Sequence, residues 1–287
     1  MSRIFIFGDS FGANLFEEYY NNIKRTNKVQ HPIEQYLVDL KEDSIEDAMW
    51  FSDWLSKWGY EVYNYALPGS DNITIVEQFH KLNDDYRDGD RIIIWYSSFL
   101  RYQWFLNNGN RYTITSNFPP EDVTDEKSNE VLMQQCINRY TSSKESYIKN
   151  DHVNFLMYFT NLHSKYKPIV TSFCAETKKT FRNYDRFLAL DYLYSGKLVH
   201  MFKDLSYTMY EESNGKIDDG HFSRETNYIY AIIFDEIIKN NASSNYNTNI
   251  DLFNIIVDRI EKEKVEFKIP KKWNKNYGTK KIFTNII

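Results

Sequence analysis

Five consecutive apolar positions, Ile92-Ile93-Ile94-Trp95-Tyr96, follow the turn Asp88-Gly89-Asp90 and a single arginine. Side chains of a strand alternate between faces, so a β-branched run that is apolar at every position must be covered above and below; this predicts the central strand of a sheet. Helices have to supply the cover. The run Ile4-Phe5-Ile6-Phe7 predicts a first strand, and Leu15, Phe16, Tyr19, Tyr20 and Ile23 follow at helical spacing. A helix over residues 45–58, striped by Met49, Trp50, Trp54 and Leu55 and stopped by Gly59, leads to a strand over 60–65 and a helix over 73–82. Residues 153–166 read as a helix ended by Lys167-Pro168, and 169–173 as the next strand. The signal weakens over 177–215, where 198–202 is assigned a last short strand. Alternation of this kind predicts an α/β fold with a mostly parallel sheet.

Two stretches depart from that rhythm. Residues 105–150 are polar, carry Pro119-Pro120 and read as an insertion over the active face, a lid in function, with some helix over 129–139. Beyond a helix over 224–239, with Ile229, Ile232, Ile233 and Ile237 on one face and Ser223 capping its start, comes an Asn/Ser-rich linker at 240–249. A further amphipathic helix over 252–262 and a basic tail follow. The expected division is therefore a domain over 1–240 and a C-terminal extension over 241–287.

Charge and cysteines exclude several classes. A net charge of -5 argues against a nucleic-acid footprint over the whole body, and no nucleic-acid partner is expected. Between Arg259 and Lys281, however, nine Lys/Arg face three Asp/Glu, with Phe267, Trp273 and Tyr277 interleaved. That tail is a solvated surface arm or a docking arm for assembly. Aromatics at 17%, including 23 Tyr, point to amphipathic contact surfaces. Cys136 and Cys174 form neither a CxxC pair nor a disulfide framework, and Cys174 is expected buried at a strand end. With no basic leader and no membrane span, the expected location is cytoplasmic, or virion-associated if the source is viral.

The chemistry sits at two places far apart in the chain. Gly8-Asp9-Ser10-Phe11 puts a serine hydroxyl at a strand-to-helix turn, and Asp218-Asp219-Gly220-His221 comes just ahead of an apolar helix. Serine needs a base within hydrogen-bond reach, and the base needs an orienting carboxylate. Asp218 and His221, three residues apart in a turn, can hold and present the imidazole. Each piece alone has a bland explanation: Asp-Ser before a helix is an ordinary cap, and a loop histidine commonly bonds backbone. The order Ser10, Asp218, His221 is what suggests an ester-cleaving triad. No HExxH or Gly-rich phosphate loop accompanies it, so no metal and no cofactor is expected. His31, His80, His152, His163 and His200 have no spacing logic and read as surface or packing residues.

In these blocks the chain resembles the SGNH, or GDSL, hydrolase superfamily. Its first block is matched by Gly8-Asp9-Ser10-Phe11, its last by Asp218-x-x-His221, and its second resembles Val62-Tyr63-Asn64-Tyr65-Ala66-Leu67-Pro68-Gly69-Ser70. The third block departs: where the family carries Gly-x-Asn-Asp after the central strand, this chain has Trp95-Tyr96-Ser97-Ser98-Phe99-Leu100-Arg101. The resemblance implies a three-layer α/β/α sandwich with a flavodoxin-like parallel sheet. It also implies an esterase whose oxyanion is received by the backbone N–H groups of Ser10 and Gly69. Asn72, Ser98 and Arg101 are the candidates to replace the missing asparagine, Asn72 foremost because its turn adjoins Ser10.

The expected substrate is a small acyl ester, such as an O-acetyl group on a carbohydrate. The alternative is a non-catalytic or vestigial scaffold of the same fold. It would be a virion component using residues 241–287 for assembly or self-association, since proteins of this look occur among bacteriophage products. No membrane partner is expected.

Overall fold

The computed structural model describes residues 2–29, 32–44, 49–81, 85–97, 102–105, 111–114, 165–172, 187–189, 209, 221–239, 250–263, 266–268 and 279–281. Its main sheet has five strands, β1 (Arg3–Gly8), β2 (Glu61–Asn64), β3 (Arg91–Tyr96), β6 (Ile169–Ser172) and β7 (Phe187–Ala189), in the order β2-β1-β3-β6-β7. Every pairing in it is parallel. Two short antiparallel hairpins stand apart, β4 (Tyr102–Phe105) with β5 (Arg111–Ile114), and β8 (Glu266–Lys268) with β9 (Thr279–Lys281). The helices are α1 (Leu15–Thr26), α2 (Pro32–Ser44), α3 (Phe51–Lys57), α4 (Asn72–Lys81), α5 (Arg224–Lys239) and α6 (Ile250–Glu263). The β2-β1-β3 arrangement is flavodoxin-like, and the central strand lies where the apolar run predicted it.

Alternation along the strands divides the core in two. Ile4, Ile6, Ile93, Trp95 and Ile169 face one layer, which includes Leu15 and Phe16 of α1, Phe51 and Leu55 of α3 and much of α5. Phe5, Phe7, Ile92, Ile94, Tyr96 and Val170 face the other, where Ile75, Val76 and Phe79 of α4 cover them. The protein is thus an α/β/α sandwich. In α5 every residue except Glu236 and Lys239 is buried, because the helix is covered by the sheet and α3 on one side and by α6 on the other.

Local chemistry fixes the element ends. Asn14 caps α1 by accepting the Glu17 N–H at 3.1 Å, and Asn27 ends it in the left-handed conformation at φ 52°. Gly59, at φ 95°, follows α3 as predicted. The α3 helix starts at Phe51, where Asp53 accepts the Trp50 N–H at 2.8 Å. Ser223 caps α5 by accepting the Thr226 N–H at 3.1 Å.

Six of the described elements were not predicted, the four strands of the two hairpins among them. The α2 helix precedes the segment assigned to the second helix, and β7 supplies the fifth strand. The expected strand at 198–202, the helix at 129–139, most of that at 153–166, both cysteines and the 240–249 linker lie outside the described residues. Among the described residues no helix is long and apolar enough to cross a membrane.

Candidate active site

In a parallel sheet all carboxyl ends lie along one edge, and a crevice opens where successive connections leave in opposite directions. Here β1 is flanked by β2 and β3, reached through helices on opposite faces, so the loop after β1 sits at that switch point. This loop carries Ser10. Its shape is set by Asp9: the carboxylate accepts the Phe11 N–H at 3.0 Å, and the Asp9 carbonyl accepts the N–H groups of Gly12 and Ala13, each at 3.0 Å. The turn is therefore built by a buried aspartate that bonds backbone two residues on. Ser10 is 9% exposed.

Glycine permits the close approach of strands beneath the turn. A Cβ on Gly8 would lie 2.7 Å from the Cβ and 2.9 Å from the carbonyl oxygen of Trp95, its partner on β3. Gly12 is nearly as tight, at 3.1 Å from the Ala66 Cβ and 3.2 Å from that of Trp95.

The loop after β2 is tied to the same turn. Leu67 donates its N–H to the Gly8 carbonyl at 3.0 Å. Asn64 donates from Nδ2 to the Gly12 carbonyl at 2.9 Å and accepts the Ala66 N–H at 3.1 Å. Leu67-Pro68-Gly69-Ser70 then closes a turn, Ser70 N–H to Leu67 carbonyl at 3.2 Å, with Gly69 at φ 77°. Proline second and glycine third, at positive φ, are what a type II turn demands.

Asn72, at the start of α4, reaches across to the end of β3. Its Nδ2 donates to the Ser97 carbonyl at 3.0 Å while its Oδ1 accepts the Ser97 N–H at 2.8 Å. The buried carboxamide thus grips both backbone polar groups of Ser97 and retains one N–H of its two. Ser98 and Arg101 lie outside the described residues.

His221 arrives from the far end of the chain, just before α5. Its ring centroid is 5.0 Å from that of Phe11, the residue after Ser10, and Phe11 also packs on Phe222 at 5.0 Å and Trp95 at 6.4 Å. Fold topology therefore brings the first and last blocks together through Phe11. Asp218 lies outside the described residues. Asn227, which sequence reasoning did not single out, fastens the His221 segment: its Nδ2 donates to the carbonyls of Phe222 and Ser223 at 3.3 and 3.0 Å, and its Oδ1 accepts the Phe51 N–H at 3.3 Å. No signal marked it out, since it closes the polar first turn Arg224-Glu225-Thr226-Asn227.

The first turns of α1 and α3 are locked behind this edge. Asn14 donates to both oxygens of Asp53, each at 2.9 Å. Burial pushes the Asp53 carboxyl up, and the Trp50 and Asn14 donors only partly offset it. A cavity of about 520 Å³ opens between α1 and the β2–α4 loop; Ala13 and Pro68 line it, Ser10 and His221 do not. Among the described residues no group of three His, Cys, Asp or Glu is placed to hold a metal ion. No protein family, curated protein or solved structure matches the chain.

Proposed function

We propose that the protein is a serine esterase of the SGNH type, acting on a small acyl ester such as a carbohydrate O-acetyl group. The observation that carries this is the convergence of the Ser10 turn, the Gly69 turn and the His221 segment at the switch point of the sheet. In the proposed reaction the Ser10 Oγ attacks the acyl carbon as its proton passes to His221, which Asp218 orients. The oxyanion is received by the N–H groups of Ser10 and Gly69 and by the remaining N–H of Asn72, standing in for the absent third-block asparagine. Collapse expels the alcohol, which takes the proton from His221; water, deprotonated by the same imidazole, then releases the acid and restores Ser10.

A fluorophosphonate probe should label the wild-type protein and not Ser10→Ala, with nitrophenyl acetate hydrolysis following the same pattern. The scaffold reading draws its support from the burial of Ser10 and from the cavity's lying outside the catalytic pair. An inert Ser10 in folded protein would select it.

A further inference from the structure

The cavity behind the Ser10 turn has a lining of its own. One wall is a strip of α1 spaced three and four residues apart, in which Glu17, Glu18, Asn21 and Arg25 lie on one helix face. The other wall is apolar, made by Ala66, Leu67 and Pro68, and Leu67 is 45% exposed. Other polar groups in the lining are already engaged: Asn14 with Asp53, Asn22 with Glu34 and Arg25, Asn64 with Gly12. Among the described residues the side chains of Glu17, Glu18 and Asn21 make no hydrogen bond. They present carboxylate acceptors and a carboxamide across from aliphatic carbon.

We propose that this groove binds a stretch of polysaccharide, with Glu17, Glu18 and Asn21 bonding sugar hydroxyls and Leu67 and Pro68 covering a sugar's C–H face. A sugar ring offers hydroxyl donors at its rim and apolar faces, and the two walls match that division. Arg25 adds a donor for ring or hydroxyl oxygens.

The groove wall is continuous with the proposed catalytic turn, through the Ala13 N–H on the Asp9 carbonyl and the Leu67 N–H on the Gly8 carbonyl. A glycan held here would lie alongside the proposed catalytic turn. This inference rests on the esterase reading for that placement alone, since glycan binding needs no turnover.

The test is binding of unacylated tetrasaccharides to the full chain by calorimetry and ligand-observed NMR, using β-1,4-linked glucose, xylose and N-acetylglucosamine, with tetralysine in parallel. At least one glycan should bind. Glu18→Ala and Asn21→Ala should each weaken it about tenfold, the loss of one strong hydrogen bond, and leave the melting temperature in place because alanine suits an exposed helix site. No binding of any of the three, binding by both variants as tight as that of the wild type, or binding of tetralysine in place of glycan would overturn the proposal. Ser10→Ala should bind as wild type does. A wild type that binds glycan yet resists the fluorophosphonate probe would sink the esterase reading and leave the groove standing.

Discussion

Gly8 joins strand geometry to the proposed chemistry more directly than any charged residue does. An alanine there would press its methyl into the Cβ and carbonyl of Trp95, backbone and core atoms with no flexible end to swing away. Gly8→Ala should therefore destabilise the protein by about 1–3 kcal/mol, the usual cost of overpacking. It should also displace the Ser10 turn, so that fluorophosphonate labelling slows; Gly12→Ala, with contacts a few tenths of an ångström longer, should do both less. Asn72 makes a sharper case. Removing its carboxamide leaves the Ser97 N–H and carbonyl without their partner, so Asn72→Ala should cost about 2–4 kcal/mol in chemical denaturation. If its spare N–H also meets the oxyanion, kcat at a temperature where the variant stays folded should fall about 100-fold or more.

The turn chemistry of Gly8-Asp9-Ser10 and Pro68-Gly69 was legible in sequence because it is local: an aspartate bonding backbone two residues on and a glycine at positive φ follow from neighbouring residues. The grip of Asn72 on Ser97 was not, since it joins residues 25 apart that meet after α4 crosses the sheet.

At the scale of elements, α5 and α6 are held by a buried ion cluster. Asp235 on α5 accepts from Arg259 of α6, from Lys239 at 2.7 Å and from the Tyr60 hydroxyl at 2.7 Å. Arg259 also meets Glu263 at 2.7 Å and lies 4.0 Å over the Trp58 ring, while the Tyr228 hydroxyl donates to Glu263 at 2.6 Å. Burial pushes the Asp235 carboxyl up, but its three partners more than reverse this and hold it below the usual carboxylate range. The sign follows. A carboxylate lower in the folded than in the unfolded chain contributes stability that is present above the unfolded value, about 3.9, and lost as pH falls through the folded one.

Asp235→Asn should accordingly be less stable than wild type at pH 7, and the gap in urea midpoint should narrow as pH falls below about 4. A gap independent of pH would remove the ion cluster as its cause. Arg259→Met, which leaves the aspartate buried with one cation fewer, should cost about 3–5 kcal/mol at pH 7.

Periodicity located α1, α4, α5, α6 and the doubly covered strands, whose patterns are long or apolar at every position. It passed over α2, although Ile33, Tyr36 and Leu37 stand at helical spacing and are buried. It also passed over β7, because a strand of three residues carries too little pattern to tell from its surroundings.

Across the whole molecule, the sheet order explains how segments some 211 positions apart come near one another: β1 lies inside the sheet between β2 and β3, and α5 returns to pack beside α3, carrying His221 back to the end of β1. The sequence predicted a meeting of Ser10 with His221; what the structure places together is the ring of Phe11, next to Ser10, and that of His221, 5.0 Å apart.

The same organisation assigns α6 a structural duty in the sandwich, because Ile260 joins the core cluster that contains β1 and β3, and Val257 packs against it. Two truncations separate that duty from assembly. A chain ending at Glu263 keeps α6 and every hydrogen bond that Arg259 makes, and loses the hairpin whose β8 strand lies against α2. It should unfold cooperatively, with a modest loss of stability. A chain ending at Lys239 removes Arg259, one of two cations, from Asp235, the cover from Trp58 and the acceptor from Tyr228 at one stroke. It should lose about 5 kcal/mol or more, enough to unfold a domain of ordinary stability. Sedimentation of the first truncation then isolates the basic tail: a lower mass than that of the full chain assigns self-association to residues 264–287, whereas equal oligomer size in folded protein removes it from them.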